Sequence, residues 1–153
     1  MAITSFLAGG ALAASGLVLT PPRGSDALTL CYPLLGAVTR FDPSLADSVR
    51  RRVDAHEAVH RADCDRLGSI RHYLAIANRD GRLAVEARAG CAEARLQIGA
   101  GAHPYLEVER MVDELHYGYG WFRELDEGSI REALGRACPD LVALGRVPPW
   151  GRR

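Results

Sequence analysis

The stretch Val53-Asp54-Ala55-His56-Glu57-Ala58-Val59-His60 constrains this chain more than any other part of it. Two histidines four residues apart share one face of a helix, so both imidazoles can reach a single metal ion. The rest of the fold then has to bring up a third ligand, a wall and a cleft, and Glu57 stands beside the ion, within reach of a water there. The local pattern supports a helix over residues 44–67. Asp42 reads as its N-cap, Pro43 as its first residue and Gly68 as its stop. Leu45, Val49, Val53, His56, His60, Cys64 and Leu67 recur at spacings of three and four, with Arg50, Arg51, Asp54, Arg61 and Asp65 on the other side. Both histidines therefore lie on the apolar stripe. That placement suits ligands facing a cleft, and it also suits core histidines bonded to neighbouring carbonyls.

The flanking segments supply the other elements. Residues 28–32 and 36–41 are short, β-branched and aromatic-leaning, punctuated by Pro33 and Pro43, and read as strands. Residues 70–77 alternate only partly and end at the turn signal Asn78-Arg79-Asp80-Gly81, which predicts a further strand. Residues 82–98 are alanine-rich without proline and carry Leu83, Glu86, Ala87, Gly90, Ala94 and Gln97 on one stripe, so a second long helix follows. Pro104 opens a third, with Val108, Met111, Val112 and Leu115 as its apolar face, running into His116-Tyr117-Gly118-Tyr119-Gly120. Ser129 and Glu132 form a capping box for a short last helix that Pro139 stops. These elements amount to an α+β chain, mainly helical, with a small antiparallel sheet or hairpin.

With 153 residues, the chain suffices for one core and is short for two. Its 19 basic and 19 acidic residues cancel, which argues against a nucleic-acid or anionic-membrane surface. No charged side chain precedes Arg23, and residues 6–19 are apolar and small, with Ala11-Leu12-Ala13 in the form of a cleavage site. Residues 1–22 therefore read as a signal peptide or N-terminal anchor, the only route to a membrane, residues 23–145 as the domain, and residues 146–153 as a tail. The expected location is periplasmic or extracellular. In an exported protein Cys31, Cys64, Cys91 and Cys138 most simply form two disulfides, with three pairings open. A zinc held by His56, His60 and Cys64 together is excluded, because eight helical residues rise about 12 Å and zinc bonds are near 2 Å.

The residues around His56 resemble the zincin metallopeptidases. That resemblance implies a zincin-like fold, zinc bound by His56 and His60, and Glu57 as general base. Asp54 and Arg61 depart from it, since zincins usually carry uncharged residues there, and Asp63 and Arg66 rule out the metzincin extension. A gluzincin-like arrangement takes its third ligand from a following helix, where Glu86 fits best; Glu93, His72 and His103 remain alternatives. Gly90 stands where those enzymes often carry an acid that supports a ligand histidine. Tyr117, Tyr119 or His116 would donate to an oxyanion, or else seal a small core. The implied function is a small exported zinc hydrolase that cleaves peptide bonds in a peptide or protein substrate. The alternative is a non-catalytic secreted domain that binds zinc or a partner.

Overall fold

The computed structural model describes residues 26–146, a mainly helical α+β arrangement with one two-stranded antiparallel sheet. The leader or anchor expected over residues 1–22 and the tail after residue 146 lie outside the described residues. Strands β1 (Ala27–Tyr32) and β2 (Gly36–Phe41) form a hairpin in which Tyr32 pairs with Gly36 and Ala27 with Phe41. The turn Pro33-Leu34-Leu35 delivers the chain to Gly36 at φ 71°, a left-handed conformation that disfavours any residue with a Cβ. Across the ladder the Thr29 and Thr39 hydroxyls meet at 2.6 Å.

Helix α1 (Asp47–Ala75) begins later than the sequence suggests. Asp42 Oδ1 accepts from both the N–H and the hydroxyl of Ser44, so it closes a turn ahead of the helix, and Ala46 takes the N-cap position without a side-chain bond. Gly68 breaks the helix at φ 72°, ψ 162°, but the chain resumes winding, and the strand expected over residues 70–77 does not form. Ser69 and His72 are buried at helical spacing while Ile70 and Leu74 face solvent, 74% and 66% exposed. Two apolar residues on the wet face hid the helical period.

Helix α2 (Arg79–Gly99) is capped by Asn78, whose Oδ1 accepts from Gly81 N at 2.7 Å. It packs against neighbours on two sides. Leu83, Ala87, Cys91 and Ala94 enter the main core, where they meet Met111 and Val112 of helix α3 (Pro104–Asp113), Phe122, and Ile130 and Leu134 of helix α4 (Glu127–Ala137). Its other side lies along α1. Fully buried Ala87 and Ala89 make this double packing sterically feasible.

After α3 the chain widens into a π-helical turn over Glu114–Gly118. Asp126, not Ser129, caps α4, with its Oδ1 accepting from Ser129 N at 2.9 Å. Pro139 does follow the end of α4, but it also starts helix α5 (Pro139–Leu144), since a proline in the first turn lacks no bond the helix needs.

Two disulfides resolve the three pairings. Cys31–Cys64 ties β1 to α1, and Cys91–Cys138 ties α2 to the junction of α4 and α5. Both fit an oxidising compartment. No helix among the described residues is long and apolar enough to cross a membrane.

Candidate metal centre

Where α1 meets α2, the two histidines of the central stretch face a glutamate of the second helix. His56 Nε2 lies 3.2 Å from Glu86 Oε2, and His60 Nε2 lies 3.7 Å from the same oxygen. One ligand atom from each of the three side chains falls within 4.8 Å of the others, so this group could hold a metal ion. The three side chains are 15% exposed each, which shields the group while leaving it an approach.

Behind the histidines a second set of charges is packed. His56 Nδ1 is 3.6 Å from Glu93 Oε2, and Glu93 Oε1 is held by Arg52 Nε at 3.1 Å and Arg110 Nη1 at 2.8 Å. Arg110 also grips Glu107 and Glu114. Burial opposes a charge on His56, but Glu86 and Glu93 outweigh it and raise its pKa to about 10. For His60 burial prevails over the pull of Glu86 and holds the ring below its ordinary value. Burial raises both glutamates less than their cationic neighbours lower them: His56 and His60 for Glu86, and His56, Arg110 and Arg52 for Glu93. Tyr119 lies beside Glu86, and burial together with that carboxylate pushes its phenol far above the usual range, so it stays a donor.

Glu57 sits on the same turn of α1 as His56. It is only 8% exposed, and its Oε2 is buried with no hydrogen-bond partner among the described residues. The side chain lines a cleft of ≈ 350 Å³ together with Arg52, His56, Glu93, Glu114 and Tyr119. A buried carboxylate oxygen without a partner is costly, and at the wall of a cleft it is the arrangement expected of a group kept for a bound molecule.

The structure brings His56, His60 and Glu86 together as possible ligands, with Glu57, Tyr119 and Glu93 around them, and leaves the other candidates outside. Tyr117 is 64% exposed and stacks on His116 at 4.4 Å, because the π turn points its ring outward and returns the chain so that Tyr119 faces in. His103 is spent as the N-cap of α3, its Nδ1 accepting from Tyr105 N. His72 is buried against Tyr73, beyond the Gly68 break. Glu93 turns to the far nitrogen of His56 instead of joining the ligand atoms. Asp63 bonds Arg66 and Arg88, and Cys64 is in a disulfide.

The residues at which the central stretch differs from the zincin pattern have partners of their own. Asp54 and Arg61 pair with each other at 2.8 Å, and Arg61 reaches Thr39 of β2, so both charges are used on the hairpin side of α1. Gly90 carries no acid, yet an acid does face His56: Glu93, one further turn along α2. Sequence reasoning missed Arg52 and Arg110, because neither belongs to a local pattern. The available signal was only that a glutamate on an inward helical stripe needs a cation nearby.

No family model, curated protein or solved structure matches the chain. The zincin resemblance therefore rests on the residues of the central stretch alone.

Proposed function

We propose that this chain is a small exported zinc-dependent hydrolase that cleaves peptide bonds on a zincin-like fold. The observation that carries the reading is the convergence of His56 Nε2, His60 Nε2 and Glu86 Oε2, with His56 and Glu57 on the wall of a cleft and Glu57 Oε2 buried without a hydrogen-bond partner among the described residues. The donor set fits zinc. Two imidazole nitrogens and one carboxylate oxygen are a standard catalytic trio, and bonds of about 2.0–2.1 Å in a tetrahedron put ligand atoms about 3.3 Å apart. The two separations of 3.2 and 3.7 Å lie close to that figure.

Bound there, zinc supplies a Lewis acid that polarises a carbonyl and makes water acidic near neutral pH. The chain's own residues handle the protons. Glu57 Oε2, facing no competing donor, takes a proton from water and passes it to the leaving amine. Tyr119, kept protonated by burial, offers its O–H to the oxygen that gains charge. The cleft volume lies at the small end for ligand sites and suits a short extended segment of substrate. The apolar N-terminal segment and the two disulfides support export.

The test is metal analysis of the purified protein followed by peptide hydrolysis. Stoichiometric zinc is expected, and Glu57→Gln should keep the metal while losing about 10²–10⁴-fold in rate. Absence of zinc overturns the reading, and a Glu57→Gln protein with full activity overturns the role of Glu57.

One observation favours a second reading. With Glu86 on one side and Glu93 on the other, His56 can stay charged and join α1 to α2 as a buried ion-pair cluster with no metal at all. The domain would then be a non-catalytic partner-binding module, identified by a doubly protonated His56 at pH 8 that added zinc does not disturb.

A further inference from the structure

An imidazole that binds a metal through one nitrogen needs a partner on the other, because that partner sets the tautomer and holds the ring plane. His56 presents Nε2 toward Glu86 at 3.2 Å and Nδ1 toward Glu93 at 3.6 Å. Glu86 and Glu93 are seven residues apart, two turns of α2, so they share a face of that helix about 10 Å apart along its axis. The ring of His56 spans the interval between them. Gly90, in the turn between, places no side chain in the way.

Glu93 is itself surrounded by charge, in ion pairs that are close but not aligned as hydrogen bonds at Oε1. Its side chain is 7% exposed, and its two oxygens divide the work: Oε1 meets Arg52 and Arg110, while Oε2 meets His56. The arginines come from two different helices, α1 and α3, so the carboxylate cannot rotate without breaking two ion pairs. Two half-buried cations face one buried anion here, and Glu107 and Glu114 offset the remaining charge of Arg110. If Glu93 served only to neutralise arginines, either oxygen could do so, and nothing would require Oε2 to face an imidazole.

We propose that Glu93 is a positioning residue for metal binding: on loading with metal it closes from 3.6 Å to accept from His56 Nδ1–H, fixing the tautomer that leaves Nε2 free toward His60 and Glu86, while Arg52 and Arg110 hold Glu93 in place. The inference rests on the metal reading above and deepens it. It assigns to Glu93 a role distinct from that of a third ligand.

The experiment is a competition titration with zinc and a chromophoric chelator on the full oxidised chain, for the wild type, Glu93→Ala and Glu93→Gln. Glu93→Ala should weaken zinc binding by about 10–100-fold. Glu93→Gln, which keeps an acceptor oxygen and the shape of the side chain, should recover most of that loss. Nitrogen NMR of the imidazole in the zinc-loaded protein should show Nδ1 protonated in the wild type and Glu93→Gln, and perturbed in Glu93→Ala. Should Glu93→Ala not fold, Glu93→Met, which keeps the length of the side chain without a carboxylate acceptor, carries the test: it should weaken zinc binding as far and perturb the same NMR signal. Wild-type zinc affinity and an unchanged His56 signal in Glu93→Ala or Glu93→Met would reduce Glu93 to a charge partner of arginines and overturn the proposal. A wild-type chain that takes up no zinc overturns the metal reading and this inference with it, a result distinct from zinc binding that ignores Glu93.

Discussion

Two glycines of α2 should respond in opposite ways to the same added methyl group. A glycine inside a helix costs roughly 0.5–1 kcal/mol relative to alanine, provided the methyl group has room. At Gly90 it has. A Cβ there would meet Met111 Sδ at 3.5 Å and Cγ at 3.6 Å, ordinary contact distances. Gly90→Ala should therefore stabilise the protein by about 0.5–1 kcal/mol. At about 2.1 cal/mol/K per residue, a domain of this size unfolds with roughly 0.25 kcal/mol/K, so Tm should rise by about 2–4 °C. At Gly81 the methyl group has no room. Its Cβ would fall 1.9 Å from the carbonyl oxygen of Ala75, because only Ile76, Ala77 and Asn78 separate α1 from α2 and the helix ends are pressed together. Relieving that overlap means moving backbone, and Gly81→Ala should cost about 1–3 kcal/mol. Calorimetry and urea unfolding of the oxidised proteins would measure both. A Gly90→Ala protein less stable than wild type, or a Gly81→Ala protein as stable, would refute the packing described here. Zinc affinity supplies a further check: Gly90 borders a void of ≈ 10 Å³ shared with His56 and Glu86, and the methyl should fit without weakening the metal.

Replacing Cys91 and Cys138 by alanine removes a cross-link over 47 residues and should cost about 4 kcal/mol by loop entropy, read from urea midpoints; a loss below about 1 kcal/mol would count against that assignment. Burial raises the Asp63 carboxyl, but Arg66 and Arg88 outweigh it and hold the group below its ordinary 3.8. A depressed folded pKa means a stabilisation that is full above the unfolded value and lost as pH falls through the lower folded one. The stability gap between wild type and Asp63→Asn should therefore be wide at pH 6 and narrow below pH 3.8, as acid titration of their urea midpoints would record. Tyr119→Phe should lower kcat by about 10²-fold with zinc retained, whereas Tyr117→Phe, on an exposed ring, should leave it unchanged; equal effects would remove the distinction between them. Zinc at a hundred times its Kd should add about 2.7 kcal/mol of stability, and His60→Ala should abolish the shift in Tm.

The hairpin, the first three helices and the inward placement of the two histidines were legible because each rests on local signals: a period of 2 or 3.6, or a proline at a helix start. His56 and His60 had to share a face of any helix that contained them, and Glu86 stood on an inward stripe whatever that stripe packed against. The misreadings arose where a local signal had two meanings. Ile70 and Leu74 looked like strand residues to be buried and are exposed on a helix; Asp42 and Ser129 had the chemistry of N-caps, but Asp42 closes a turn and Asp126 takes the cap of α4.

What depended on the tertiary structure was every pairing between distant positions. The disulfide partners, the choice of Glu86 over Glu93 at the ligand atoms, the inward turn of Tyr119 and the outward turn of Tyr117 each depend on how one helix lies against another. Arg110 is the clearest case. Seventeen positions beyond Glu93 and on another helix, it looks in the sequence like a solvated arginine, and only the packing of α3 against α2 makes it the ion that holds Glu93 beside His56. Local sequence sets which face a side chain occupies, because backbone geometry has a short period. What that face meets is set by the packing of the whole core.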